Sequence, residues 1–286
     1  MLFGITVDPS VAGHAEREDI NFTLSLFHTI FNIINVLVLI GFVPQLAKLV
    51  ERLMPSKGGE DDQWRLKFIN TGLMGTTELS IANAKNEVRY MARLVDKICV
   101  SYMALLFERP KNIEKLVAKI KKREDVTDQI EMEISKYLTR CAEGGISHNA
   151  SKRIRCMLRM VNELERIADI FYQMTLSHER MREESIIMTE DAKAELKEMF
   201  DLVYKAVKLM RKYLAQSHDD VSIEDGYELE KAINGMRNKL HISHYERIEN
   251  KTYTLNEGLV FLDLVSSMEK IGDHIVNVNE AVVGEK

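Results

Sequence analysis

Two stretches of this chain, LERIADIFYQM at 164–174 and MEKIGDHIVNV at 268–278, share one order: apolar, Glu, basic, Ile, small, Asp, with an amide side chain four residues after each Asp. A single Glu-x-x-x-Asp describes an ordinary solvated helix face. The same motif written twice at wide spacing confines the chain to folds that can be laid down twice.

The duplication extends beyond the motif, at an offset of about 106 residues. EVRYMARLV from Glu87 aligns with ELKEMFDLV from Glu195, sharing Met91 with Met199 and Leu94 with Leu202, and EDVTDQIEMEI from Glu124 aligns with EKAINGMRNKL from Glu230. All four prolines lie at or before Pro110, so nothing after it interrupts a helix. Turn-rich breaks near 110, 145, 183, 221 and 253 divide the rest into six long helical stretches. Ile154, Leu158, Val161, Leu164, Ala168 and Phe171 show the helical apolar stripe on the third. The spacing predicts an all-α fold of two tandem three-helix bundles side by side, each burying one stripe per helix and able to stand alone. The repeats cover about 70–178 and 185–282 within a six-helix domain at 66–286.

At 286 residues and 45% hydrophobic content the chain can build a sizeable core. A net charge of -5 gives no basic footprint for a phosphate backbone, so nucleic acid is not expected as a partner. Cys99, Cys141 and Cys156 show neither a paired nor a zinc-finger spacing and fit packing in a reducing compartment. The chain has no nucleophile elbow, phosphate loop or His-rich metal motif, and its eight histidines are scattered. A binding or regulatory role fits this better than catalysis.

Residues 1–19 read as a loop, and residues 51–65 as a linker. Between them, residues 20–47 carry no Asp, Glu, Lys or Arg. As a helix this run would be ~42 Å long, against about 30 Å of hydrocarbon in a bilayer. Acidic residues precede it and Lys48, Arg52 and Lys57 follow, the reverse of a signal peptide. A transmembrane helix over 20–50 is therefore expected, with everything after Val50 in the cytoplasm by the positive-inside rule. Ser25, His28, Asn32 and Asn35 recur at helical spacing as a polar stripe on this segment. Polar groups in lipid need partners, so the stripe predicts neighbouring membrane helices or a water-lined path. The chain is expected to be the C-terminal part of a larger membrane protein, or a subunit of one.

The closing motifs ELERIADIF and SMEKIGDHI resemble the Glu-Arg-Ile-Gly-Asp signature of the PhoU family, whose tandem three-helix bundles bind metal through Glu/Asp-x-x-x-Asp motifs. TTELSIANAKNEVRYMARLV (76–95) resembles the entry to the PhoU-like tail of bacterial sodium/phosphate cotransporters, and LFHTIFNIINVL (26–37) is similar to the last membrane helix of those transporters. Three features depart from the pattern: Thr77 stands where the family usually has Pro, Ala168 replaces a Gly that Gly272 keeps, and the paired Gln-Ser-Ser motifs of the transport core are absent.

The resemblance implies metal ligands at Glu165, Asp169, Glu269 and Asp273. On a helix Glu165, Asp169 and Gln173 share one face, as do Glu269, Asp273 and Asn277. Oxygen donors suit a hard divalent cation such as Mg or Mn, and bridging carboxylates also hold iron. Glu124, Asp128 and Glu230 are additional candidates from the adjacent helix, where Asn234 stands in place of a fourth carboxylate. A salt-bridged surface, with Arg166 and Lys270 beside the two glutamates, is the competing reading. The resemblance further implies a domain on the cell inner membrane, serving sodium-dependent phosphate uptake or its regulation. Its partners would be the remaining transporter helices or a transporter subunit, and membrane lipid. The alternative is a metal-binding regulatory adaptor that docks on a separate phosphate transporter or sensor kinase.

Overall fold

The computed structural model describes residues 22, 24–37, 39, 42, 66, 68–69, 76–108, 110–143, 145–216 and 222–284. The chain divides into two units, Met1–Gln63 and Trp64–Lys286.

In the first unit residues 24–37 form helix α1, all exposed. Phe27 stacks on Phe31 at 6.1 Å between ring centroids, and the Thr29 hydroxyl donates to the Ser25 carbonyl at 2.9 Å. Among the described residues no helix is long and apolar enough to cross a membrane. The remainder of the span expected over 20–50 lies largely outside the described residues, as do the whole of the 1–19 loop and the 51–65 linker.

Among the described residues the second unit holds six helices: α2 (Thr77–Phe107), α3 (Ile113–Glu143), α4 (His148–Glu183), α5 (Glu190–Ala215), α6 (Glu224–Glu249) and α7 (Leu255–Val283). Their ends follow local chemistry. The side chains of Ser147 and Thr189 accept the backbone N–H groups of Ala150 and Ala192, capping α4 and α5. Thr254 and Glu257 form a capping box at the start of α7. Helices α4 and α6 close through left-handed residues, Ser185 at φ 54° and Lys251 at φ 53°, each followed by an N–H that reaches back five residues, Ile186 to the Met181 carbonyl and Thr252 to that of Arg247. Gly145, at φ 74°, turns the chain between α3 and α4.

Helices α2, α3 and α4 pack on one another, and so do α5, α6 and α7. The predicted apolar stripe on α4 faces inward: Ile154, Val161, Leu164, Ala168 and Phe171 are buried, with Leu158 packed at the edge of the core. The two bundles, expected side by side, share an extensive interface. The most extensive helix–helix contact of all joins α4 to α7, across the two repeats, and α2 packs on α5. Tyr102 of α2, Phe171 of α4 and Phe200 of α5 meet with ring centroids 5.9–6.4 Å apart, so one core runs through both repeats. Asp96 of α2, largely buried, is ion-paired with Arg211 and Lys208 of α5 across the same seam. Cys99 and Cys141 are buried free thiols, in keeping with a packing role.

Candidate functional site

Helices α3 and α4 run against one another so that their carboxylates share one strip. Glu124, Asp128 and Glu131 occupy successive turns of α3, and Glu165 and Asp169 of α4 lie near enough to Asp128, and Glu165 to Glu131, for their charges to act on one another. The carboxyl of Glu165 is pushed up to about 7, first by burial and then by the charges of Asp128, Asp169 and Glu131, with Arg166 opposing. Asp128 is raised by burial, then by Asp169 and Asp125, and Glu124 by burial and by Asp128. These shifts share their causes in the same order, burial first and then the negative charge of neighbouring carboxylates. Lys121 reaches the edge of the strip, at 3.3 Å from Glu124 and 2.8 Å from Asp125. Asp169 accepts the Gln173 amide at 3.3 Å, while the Oδ1 atom of Asp128 is buried without a hydrogen-bond partner.

The corresponding strip in the second repeat has a different composition. Glu230 on α6 is raised by burial and by Asp273, and Asp273 by partial burial and by Glu269, with His274 and Arg237 opposing. Glu269 is ion-paired with Arg237. Asn234 stands at the position of Asp128, and its Oδ1 atom too is buried without a partner.

The predicted ligand sets therefore assemble within each repeat, α3 with α4 and α6 with α7, and do not merge into one centre. They line strips and do not converge on a point: among the described residues no group of three or more His, Cys, Asp or Glu side chains is drawn together as a ready ligand set. The donor chemistry of the first strip still suits a hard cation, because it is oxygen-only, carries excess negative charge and includes the unsatisfied Asp128 oxygen. The second strip fits such a cation poorly, since a guanidinium already engages Glu269. Ser25, His28, Asn32 and Asn35 sit on α1, in the other unit.

Four residues escaped the sequence reading. Glu131 and Arg237 each lie seven residues, two helical turns, beyond Glu124 and Glu230, so carrying the i, i+4 pattern on to i+7 finds both. Glu163 precedes Glu165 by two residues and accepts from His274 Nδ1 at 2.6 Å and from the Asn277 amide at 3.1 Å. Arg159 extends that network, donating to Asn277 and Glu280 at 2.9 Å each, so the amide and histidine of the second motif serve the α4–α7 seam.

A PhoU domain matches residues 81–175 and again 196–282, more than half of the chain. The chain belongs to the PhoU domain family. Its two matched copies are the two sequence repeats, each ending in one of the motif helices. The "Putative inorganic phosphate export protein YjbB" of Escherichia coli (strain K12) is 23% identical over 148 residues, 52% of this chain and 26% of that protein. This chain thus spans about a quarter of the length of that relative. The "Phosphate-specific transport system accessory protein PhoU homolog 1" of Thermotoga maritima is 26% identical over 176 residues, 59% of this chain and 72% of that protein. The crystal structure of PhoU from Pseudomonas aeruginosa shares the fold at a TM-score of 0.64 and 18% identity, covering 72% of this chain and 96% of that one. The chain is thus a PhoU-like domain related to phosphate transport accessory proteins and to a protein named for phosphate export.

Proposed function

We propose that this chain is the membrane-attached, cytoplasmic PhoU-like domain of a sodium-dependent inorganic phosphate transporter, where it adjusts phosphate movement. The observation that carries the reading is the pair of PhoU domain copies placed behind a run of 28 uncharged residues at 20–47. The likeness of residues 26–37 and 76–95 to sodium/phosphate cotransporters supports the sodium coupling. In this reading the stripe of Ser25, His28, Asn32 and Asn35 meets other transporter helices within the lipid.

The first-repeat strip would hold a divalent cation or iron through Glu165 and Asp169, with Glu124 and Asp128 from α3. The bound ion would supply positive charge that relieves the repulsion among these carboxylates. The chain's own part is to place α3 against α4 so that the oxygens share a face.

Radiolabelled phosphate flux in cells, with and without a sodium gradient, tests the reading. Deleting residues 66–286 from the encoded protein should change the sodium-dependent flux, and a reporter fused after Lys286 should be active only on the cytoplasmic side. Identical flux, or a reporter active only outside, would sink it. Whether net movement is inward, as sodium coupling implies, or outward, as the name of YjbB describes for that protein, is read from the same traces. A second reading is a regulatory adaptor on a separate transporter, favoured by the 72% coverage of the Thermotoga accessory protein. It predicts release from washed membranes and co-purification with a transporter encoded elsewhere.

A further inference from the structure

The two strips occupy equivalent places in the two repeats, yet their charges differ: Lys121 and Asp125 at the edge of the first strip correspond to Tyr227 and Lys231, and two further positions bear directly on the motif carboxylates. At the 106-residue offset Asp128 corresponds to Asn234 and Glu131 to Arg237. The first strip therefore carries Glu124, Asp128, Glu131, Glu165 and Asp169 with Lys121 paired to Glu124 at its edge, whereas the second keeps only Glu230, Glu269 and Asp273 and adds a guanidinium on the motif glutamate itself. That guanidinium reaches across from α6 to α7: its Nη1 donates to Glu269 Oε1, while Nε and Nη2 donate to the Asn238 side chain at 3.3 and 3.2 Å. It also opposes the charge burden on Asp273. In the first repeat the corresponding side chain is Glu131, which adds to the burden on Glu165.

We propose that Arg237 is a built-in counter-ion that replaces a bound cation in the second repeat, so that the chain has one cation-responsive repeat and one whose motif glutamate, Glu269, is permanently paired. A guanidinium anchored on the helix gives Glu269 the positive partner that an ion would otherwise give it, and like charge at that place repels an incoming cation. Exchanging Asp for Asn at 234 removes a further anionic donor from the same face. Both changes act in one direction. The count of one responsive repeat rests on the first-repeat reading given above; the role of Arg237 does not.

Manganese(II) binding to the full chain in detergent, counted by titration calorimetry together with melting temperature, decides the matter. The expected result is one equivalent for wild type, lost in Asp169→Asn and kept in Asp273→Asn. Arg237→Glu with Asn234→Asp, which gives α6 the acidic pattern of α3, should raise the count to two, and adding Asp273→Asn should return it to one. Two equivalents in wild type, or one that Asp273→Asn removes, would overturn the proposal. Should wild type take up no manganese, the first-repeat reading falls. The rebuilt variant then still judges Arg237, since uptake by it upholds the exchange and no uptake overturns it. If circular dichroism shows the rebuilt chain unfolded, Arg237→Gln with Asn234→Asp replaces it, with the same two outcomes.

Discussion

His274 Nδ1 lies 2.6 Å from Glu163 Oε2, tying the last helix of one repeat to the last helix of the other through a mostly buried pair. The same oxygen accepts from Asn277. Glu163→Ala leaves both partners unsatisfied and should cost about 1–3 kcal/mol. His274→Ala with Glu163→Ala should cost less than the two single losses added together. Urea unfolding midpoints measure both, and strictly additive losses would show that the two side chains are not coupled.

Acidity at Glu165 makes a second prediction. Its carboxyl titrates at about 7 in the folded chain against an ordinary 4.5, so between those values the folded chain holds more protons than the unfolded one. Stability contributed by this group is complete below pH 4.5 and is lost as the pH rises through about 7. In the presence of a chelator, Glu165→Gln should raise the melting temperature at pH 8 and flatten its decline from pH 5 to 8. An unchanged profile would mean that Glu165 is ordinarily acidic.

Gly272 sets a third. A Cβ there would sit 3.2 Å from Ile233 Cδ1 and 3.4 Å from its Cγ2, inside the α6–α7 contact. Gly272→Ala should destabilise by about 1 kcal/mol, overpacking outweighing the helix propensity of alanine. With Ile233→Val beside it the same change should stabilise by about 0.5–1 kcal/mol. Denaturant melts of the four chains test this change of sign.

A fourth concerns Asp96, held between Arg211 and Lys208 across the α2–α5 seam. Asp96→Asn leaves two bases facing a neutral amide and should cost about 1–3 kcal/mol. The loss should shrink in an Arg211→Met background, which a double-mutant cycle reads directly.

The helices and their pairing into repeats were legible because periodicity is a property of one strand of sequence. Ile154 to Phe171 carries its stripe whatever it packs against, and the turn formers near 145 and 253 announce the ends. The register between helices was not legible. Nothing in ELERIADIF says that Glu163, rather than Glu165, meets His274, because the facing residue is fixed by how far α4 slides along α7. The shared core between the bundles was not legible for the same reason. Tyr102, Phe171 and Phe200 look like three separate core aromatics until the seam between the repeats brings their rings together. At the acidic strips the motif gave the face, but its charge balance lay two turns further on, at Glu131 and Arg237.

The seam pairs like with like: the first helix of each repeat meets the other's first, α2 with α5, and the third meets the third, α4 with α7. That is the pattern of an isologous two-fold interface, here closed within a single polypeptide. A pair of identical subunits must accept every substitution twice, on both sides of its axis. A fused pair is free of that rule, which is what allows an acid at 131 to coexist with a base at 237.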